Sequence, residues 1–419
     1  MRHLIMLLPL LVASPAFAQG QDLNATIADA LAHAPVLAEA QAGEAQARAR
    51  FDGARAQGNP MVSVEGQIGA GQIDNGGFFG FAASAVTPLA VRAGAEMPLY
   101  AGGRVVAAMD QARGGQAIAT LALADARSRV IVGAVAAHAE VLAARRIEKR
   151  FQQMAIELAE VERQARLRFQ AGEIPASDLA AATARRAEGE AGLAAAQGRR
   201  VTAEAQYVRQ TGHEAGALAP LPALPATPPS LDEALDSAHR GNPMLAQAEK
   251  GIDVARAGLR GAKAESLPTV GAFAEASRTR YQFFPDYRAD AMAVGIRGRW
   301  TLFAGGRTAA KIHEADAALD ASEARAREAR DQIDAAVIAA WTGLQTAHRV
   351  VDASAARSAA TAEALRSIQL EAKVGAKPTL AVLDAEREAT AADAAAIEAE
   401  GQRMVAAWQL NALAGQINP

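Results

Sequence analysis

The sequence predicts a mainly α-helical, internally duplicated chain with a small β part. Three observations carry this. A seven-residue phrase occurs twice, as Pro98-Leu99-Tyr100-Ala101-Gly102-Gly103-Arg104 and as Thr301-Leu302-Phe303-Ala304-Gly305-Gly306-Arg307. Two very long stretches contain no proline, from Gly103 to about Gln170 and from Thr308 to about Lys373. Short runs ahead of each phrase alternate apolar and polar residues, the signature of a sheet with one greasy and one wet face.

The first element is an expected secretory leader, residues 1–18. Arg2 and His3 precede the apolar run Leu4 to Val12, and Ala16-Phe17-Ala18 is a small-x-small cleavage site that starts the mature chain at Gln19. The run is too short for a membrane-spanning helix, which needs about 20 apolar residues. The sequence has no cysteine, so disulfides and a lipid on an N-terminal cysteine are both excluded. The net charge of −3 gives no electrostatic ground for a nucleic-acid partner. Hydrophobic residues make up 51% of the chain and aromatics only 4%. Small apolar side chains bury little area each and suit closely packed helices.

Residues 19–218 form the first repeat, 219–229 a linker and 230–415 the second repeat, with a tail at 416–419. The landmarks keep their order. Pro35 recurs as Pro243 and Pro60 as Pro268 at one spacing; Gly102 recurs as Gly305 and Pro175 as Pro378 at a spacing about five residues shorter. Each half opens with a helical segment, Leu23 to about Gln57 and Leu231 to about Glu265, broken by Pro35 or Pro243. Two strand runs follow. Val62 to Ile68 sets valines and isoleucine against Ser63, Glu65 and Gln67, and Val294 to Trp300 sets Val294, Ile296 and Trp300 against Arg297 and Arg299. A β-barrel around water and a soluble sheet over helices both fit this alternation. Asp74 to Gly80 and Tyr281 to Asp290 read as hairpin loops, with Phe78, Phe79, Phe283 and Phe284 at their tips. Four strands do not close a barrel, since about eight is the minimum, so a spanning sheet requires several chains. Gly102, Gly103, Gly305 and Gly306 fall where strand gives way to helix, and glycine permits the sharp backbone change.

The long helix that follows spans roughly 100 Å. Val130, Ala134, Ala137, Val141, Ala144, Ile147, Phe151, Met154, Leu158, Val161 and Ala165 recur in steps of four and three, a heptad-like seam. Five prolines in the ten residues Pro220 to Pro229 make the linker extended, and Ser230 with Glu233 opens the next helix as a capping box.

No constellation for catalysis or metal binding stands out. His3, His33, His138, His213, His239, His313 and His348 are scattered without a ligand spacing, and Gly69-Ala70-Gly71 is not followed by a helix. There is no GxSxG elbow. The sequence points to no enzyme and no cofactor.

Taken in order, the paired phrases, the alternating strands and the leader resemble the TolC family of outer-membrane efflux and secretion proteins. The hairpin turns Arg168 to Asp178 and Val374 to Asp384 carry the resemblance further. It implies a homotrimer in which each chain gives four strands to a 12-stranded barrel surrounded by outer-membrane lipid. The long antiparallel helices would join a periplasmic α-barrel. The turns at Gly172 and Gly375 would dock a periplasmic adaptor protein, with an inner-membrane pump or ABC transporter beneath. Cargo would be drugs and other small molecules, or proteins in type I secretion. The resemblance also implies a constriction at Asp384, although Ala381 stands where the family often has a second aspartate. It implies a tip-closing pair of Asp178 and Lys377. A different class of reading is a periplasmic coiled-coil scaffold without a pore, which would have no use for charged alternate strand faces beside aliphatic ones.

Overall fold

A computed structural model describes residues 20–74, 83–282 and 286–417. The predicted leader and the hairpin residues Phe78, Phe79, Phe283 and Phe284 lie outside these residues. The chain divides into two compact units. One comprises residues up to Leu37, Ala126–Asn242 and Asp334 onward; the other comprises Ala38–Asp125 and Pro243–Ile333.

The second of these units holds the sheet. Helix α2 (Pro35–Ala56) leads into β1 (Met61–Ile68), and α6 (Pro243–Ala264) leads into β5 (Thr269–Arg280). The four-stranded antiparallel sheet runs in the order β1-β4-β5-β6, with β4 at Leu89–Tyr100 and β6 at Arg288–Arg299. Two further short strands, β2 (Gly71–Ile73) and β3 (Ser84–Val86), pair with each other. The expected two runs in the first half are therefore split. Gly69-Ala70 interrupts one strand and Thr87-Pro88 the other, and Pro88 has no N–H to give a ladder. The hairpin still continues through the gap, since Gly69 N–H donates to Pro88 O at 3.0 Å.

The registers give the sheet two unlike faces. Val62 lies opposite Ala95, Val64 opposite Ala93, Ala274 opposite Val294 and Ala276 opposite Met292, all on one side. Glu65 lies opposite Arg92 and Arg297 near Glu275 on the other, with an Arg297–Glu275 separation of 3.9 Å and the Arg297 guanidinium over the Phe273 ring. Met292 is 89% exposed and Val294 85% in the isolated chain. A sheet stacked on its own helices would have covered them.

The strand-to-helix junctions are built alike. Helix α3 (Arg104–Gln170) starts after Gly102 at φ 62° and Gly103 at φ 85°; α7 (Arg307–Lys373) starts after Gly305 at φ 60° and Gly306 at φ 85°. Both pairs sit in the left-handed region that side chains disfavour. The first pair carries an additional restraint. A Cβ on Gly102 would meet Ala264 O at 2.8 Å and Leu267 Cβ at 2.9 Å, whereas one on Gly103 would meet open space. Gly102→Ala is therefore expected to cost about 2–4 kcal/mol and Gly103→Ala about 1 kcal/mol. Chemical denaturation of the two variants side by side checks this, and equal costs would remove the steric argument.

The other unit is helical. It contains α1 (Leu23–His33), α4 (Ala176–Thr211), α5 (Leu231–Gly241), α8 (Thr379–Leu413) and the greater part of α3 and α7. Asp22 caps α1 by accepting from Ala25 N–H at 2.7 Å, and Ser230 caps α5 by accepting from Glu233 N–H at 3.2 Å. The heptad seam of α3 is buried: Ala134, Val141 and Ala144 are at most 1% exposed. Helix α4 answers it with small residues at heptad spacing, Ala182, Gly189, Ala196 and Ala203, all buried. The large residues of α3 fill the space these leave. A Cβ on Gly189 would strike Leu158 Cδ1 at 2.5 Å, and one on Gly192 would strike the Phe151 ring at 2.7 Å. Helix α8 completes the core with Leu383 beside Met154 and Leu158, and Ile397 beside Ala143 and Ile147. The linker lies extended, with Gln21 N–H donating to Ala217 O and Ala219 N–H to Gln21 O. No described helix is long and apolar enough to cross a membrane.

Candidate functional site: helical tips and ion-pair ladder

The two helical hairpins turn through the same motif. After α3, Gly172 adopts φ 75° and Glu173 N–H reaches back to Arg168 O at 2.8 Å; after α7, Gly375 adopts φ 79° and Ala376 N–H reaches Glu371 O at 2.9 Å. This is the glycine-terminated Schellman cap. Pro175 and Pro378 then hold extended backbone and start α4 and α8. Ile174 and Leu179 fold onto the Met154–Leu158 cluster, which anchors the first turn.

The predicted tip residues are exposed, and the chain does not pair them with each other. Asp178 sits in the first turn of α4, where a negative charge suits the helix N-terminus. It accepts from Ser177 Oγ at 3.4 Å. Lys377, in the turn, lies 4.0 Å from Glu371 near the end of α7. An exposed pair of that kind is worth under about 1 kcal/mol.

Asp384 stands one turn into α8, half exposed, and bonds Arg185 of α4 at 2.8 Å. Arg185 also bonds Glu188 at 2.7 Å, and Glu188 lies 3.7 Å from Arg387. Two arginines thus balance two carboxylates, and Asp384 is not a bare negative charge. The Arg185 hydrogen bond holds the Glu188 carboxyl below the usual carboxylate range.

Further pairs climb the helices from here. Glu162, buried on α3, lies between Arg166 and Arg186, the latter at 3.0 Å. Arg150 reaches across to Glu386 of α8 at 2.9 Å. The Glu386 side chain is only 4% exposed, and burial, reinforced by nearby Glu157, pushes its carboxyl above the ordinary 4.5 despite Arg150. Arg145 bonds Glu204 at 2.8 Å, and Arg200 bonds Glu148 at 2.6 Å.

A separate polar centre closes the ladder. His138 Nε2–H donates to Ala219 O at 3.1 Å, which fixes the tautomer and leaves Nδ1 to accept from Thr26 Oγ1 at 2.9 Å. Tyr207 Oη lies 3.2 Å from Thr26 Oγ1 and donates to Gln21 Oε1 at 3.1 Å. Thr26, His138 and Tyr207 are all fully buried. Burial holds the His138 imidazole below 6.5. In the second repeat the corresponding positions are Ala234, Trp341 and Leu410, so only one half carries this centre.

Sequence reading missed Arg185, Arg150 and Glu386. Their partners are remote in the chain, and their spacing shows no pattern until α4 and α8 are docked on α3. Among the described residues, no group of histidine, aspartate or glutamate is arranged to hold a metal.

The family model for outer membrane efflux proteins matches residues 26–213 and 234–416. The chain belongs to the outer membrane efflux protein family. The two matched segments of this efflux protein fall on either side of the proline-rich linker. Over 215 residues it is 29% identical to the outer membrane efflux protein BepC of Brucella suis, a match covering 51% of this chain and 47% of that protein. The matched region thus spans about half the length of that relative. Among solved structures, the Campylobacter jejuni CmeC outer membrane channel superposes with a TM-score of 0.83 at 13% identity, over 94% of this chain and 85% of that one. The open state of the Neisseria gonorrhoeae MtrE outer membrane channel gives 0.76 at 21% identity, over 94% and 89%. These likenesses establish that the efflux protein has the fold of those channels.

Proposed function

We propose that the protein is the outer-membrane exit channel of a tripartite export system, a passive conduit for small molecules or secreted proteins. The observation that carries this is the two-faced sheet. One face presents exposed aliphatic side chains over most of its length and the other presents charged side chains, Arg297 beside Glu275 among them, which fits lipid outside and water inside. Burying Val62, Val64, Ile68, Met292, Val294 and Ile296 in lipid is worth about 10 kcal/mol per chain. A scaffold without a pore would leave that surface in water. Four strands per chain close a barrel when three chains combine, and the helices then form the periplasmic conduit. The turns at Gly172 and Gly375 are the docking points for an adaptor protein that links an inner-membrane pump. Export begins with removal of residues 1–18, and the chain carries no lipid on cysteine. Cargo is selected by the partners.

Asp384 lines the constriction of this channel, tempered by Arg185. The tip-closing tie between Asp178 and Lys377 belongs to this reading and requires Lys377 to leave Glu371, its neighbour within one chain at 4.0 Å. Planar-bilayer conductance of the purified protein, with its mass in detergent, tests the reading. Discrete cation-preferring channels from a trimer are expected. Asp384→Asn leaves an excess of positive charge in each Arg185 cluster and is expected to lower cation preference. Asp178→Ala is expected to raise the fraction of time open; unaltered conductance would remove the tie. A soluble, non-conducting species would replace the channel reading with the scaffold.

A further inference from the structure

The apolar face of the sheet changes character at one end. Following the alternation of β5 and β6 toward their connecting loop, Ala276 and Met292 are succeeded on the same face by Arg278 with Asp290, then Arg280 with Arg288. This end is remote from the helices in sequence, because β5 begins just after α6 and β6 ends just before α7. Arg278 and Asp290 satisfy one another through two bonds at 2.7 and 3.1 Å. The last rung has two arginines and shares only the attraction of Asp290, which is already bonded to Arg278. Arg280 and Arg288 are direct cross-strand partners, and neither forms an ion pair with a described residue. Like charges opposed across a rung are destabilising, and at the edge of a hydrocarbon layer they are costlier still. On its other side Arg280 has only Leu89.

Beneath the arginines the same face is hollow. Ala93, Ala95, Ala274 and Ala276 form a shallow trough of about 380 Å³ flanked by Val62 on one side and Met292 and Val294 on the other. Four residues of strand, roughly 13 Å, separate Ala276 from Arg280. An anion between the arginines and a hydrocarbon chain that passes the neutralised Arg278–Asp290 rung into the trough can therefore belong to one molecule. A free phosphate would answer the arginines and leave the trough empty. We propose that Arg280 and Arg288 bind the phosphate group of an anionic outer-leaflet lipid whose acyl chain lies along the alanine trough. The site rests on the barrel reading, which turns this face to lipid. Each arginine supplies charge-assisted hydrogen bonds to phosphate oxygens, and the bound anion removes the repulsion between them.

Native mass spectrometry of the detergent-purified trimer tests this, with a diphosphorylated lipid A, its dephosphorylated form and inorganic phosphate as probes. Wild type is expected to take up one phosphorylated lipid per chain and to bind the dephosphorylated form about tenfold more weakly. The Arg280→Gln/Arg288→Gln double variant is expected to lose about ten- to hundredfold in affinity for the phosphorylated form. Without lipid, that variant should melt at a higher temperature than wild type, because the like-charge rung is gone. Equal binding of both lipids, or equal binding by both proteins, overturns the site. So does inorganic phosphate that binds as tightly as the lipid. A trimer that conducts yet shows no lipid preference sinks this site alone. A protein that neither trimerises nor conducts sinks the barrel reading and the site with it.

Discussion

Replacing Arg150 by alanine will destabilise the folded chain by about 3 kcal/mol at neutral pH, the low end of the range for breaking a buried ion pair. Glu386 is 4% exposed, so the fold cannot hand its charge back to water; Arg150 keeps 22% exposure, which places the cost at that low end. Asp393, 3.8 Å from Arg150, is no substitute, being itself acidic. The pH dependence supplies the decisive check. Burial, then Glu157, already raises the Glu386 carboxyl, and removing Arg150 raises it further. A carboxyl whose folded pKa lies above its unfolded value favours the native state at low pH, and that contribution is lost as pH rises through the folded pKa. The Arg150→Ala penalty should therefore be large near pH 8 and shrink as pH falls toward the ordinary 4.5. Glu386→Gln, which mimics the protonated form, should stabilise the protein near pH 8 and lose its advantage over the same interval. Guanidinium denaturation at several pH values measures both; a penalty independent of pH would show that packing, and not charge, holds this site.

The second large effect is expected at His138. His138→Ala should cost about 3 kcal/mol near pH 8, combining a cavity with the loss of the bonds to Thr26 and to the Ala219 carbonyl. In wild type, burial depresses the imidazole below 6.5, outweighing the Ala219 bond and the charge of Asp22. A histidine held neutral in the fold contributes stability that is complete above 6.5 and declines as pH falls toward the depressed value. His213 acts in the opposite direction, since the Glu214 carbonyl and Asp29 raise it. Subtracting the His138→Ala profile from wild type isolates the buried ring. The difference should narrow on acidification, and a difference that widens would mean the imidazole is charged in the fold.

Periodicity made the helices legible because packing follows the same period. The α3 seam named from its fours and threes is the buried stripe, and Pro35 and Pro243 part the helices they were expected to part. The strand faces were legible for the same reason, since the register keeps Val62, Val64 and Val294 on one side. The split of the first hairpin was not, because Gly69 and Pro88 act only once their strands are paired. The site was read least well. Asp384 was named only through family resemblance, and its charge balance depends on Arg185, brought near by docking two helices. Arg150 and Glu386 look like ordinary helix-surface charges until α8 docks on α3.

The contrast between Thr26, His138 and Tyr207 in one half and Ala234, Trp341 and Leu410 in the other means that the two repeats are no longer interchangeable. Six near-equal halves around a trimer would make a ring with six like stations. Divergence at these positions puts a buried, proton-responsive histidine in one repeat and none at the matching place in the other. In the proposed trimer, acid is therefore expected to act first on three of the six halves.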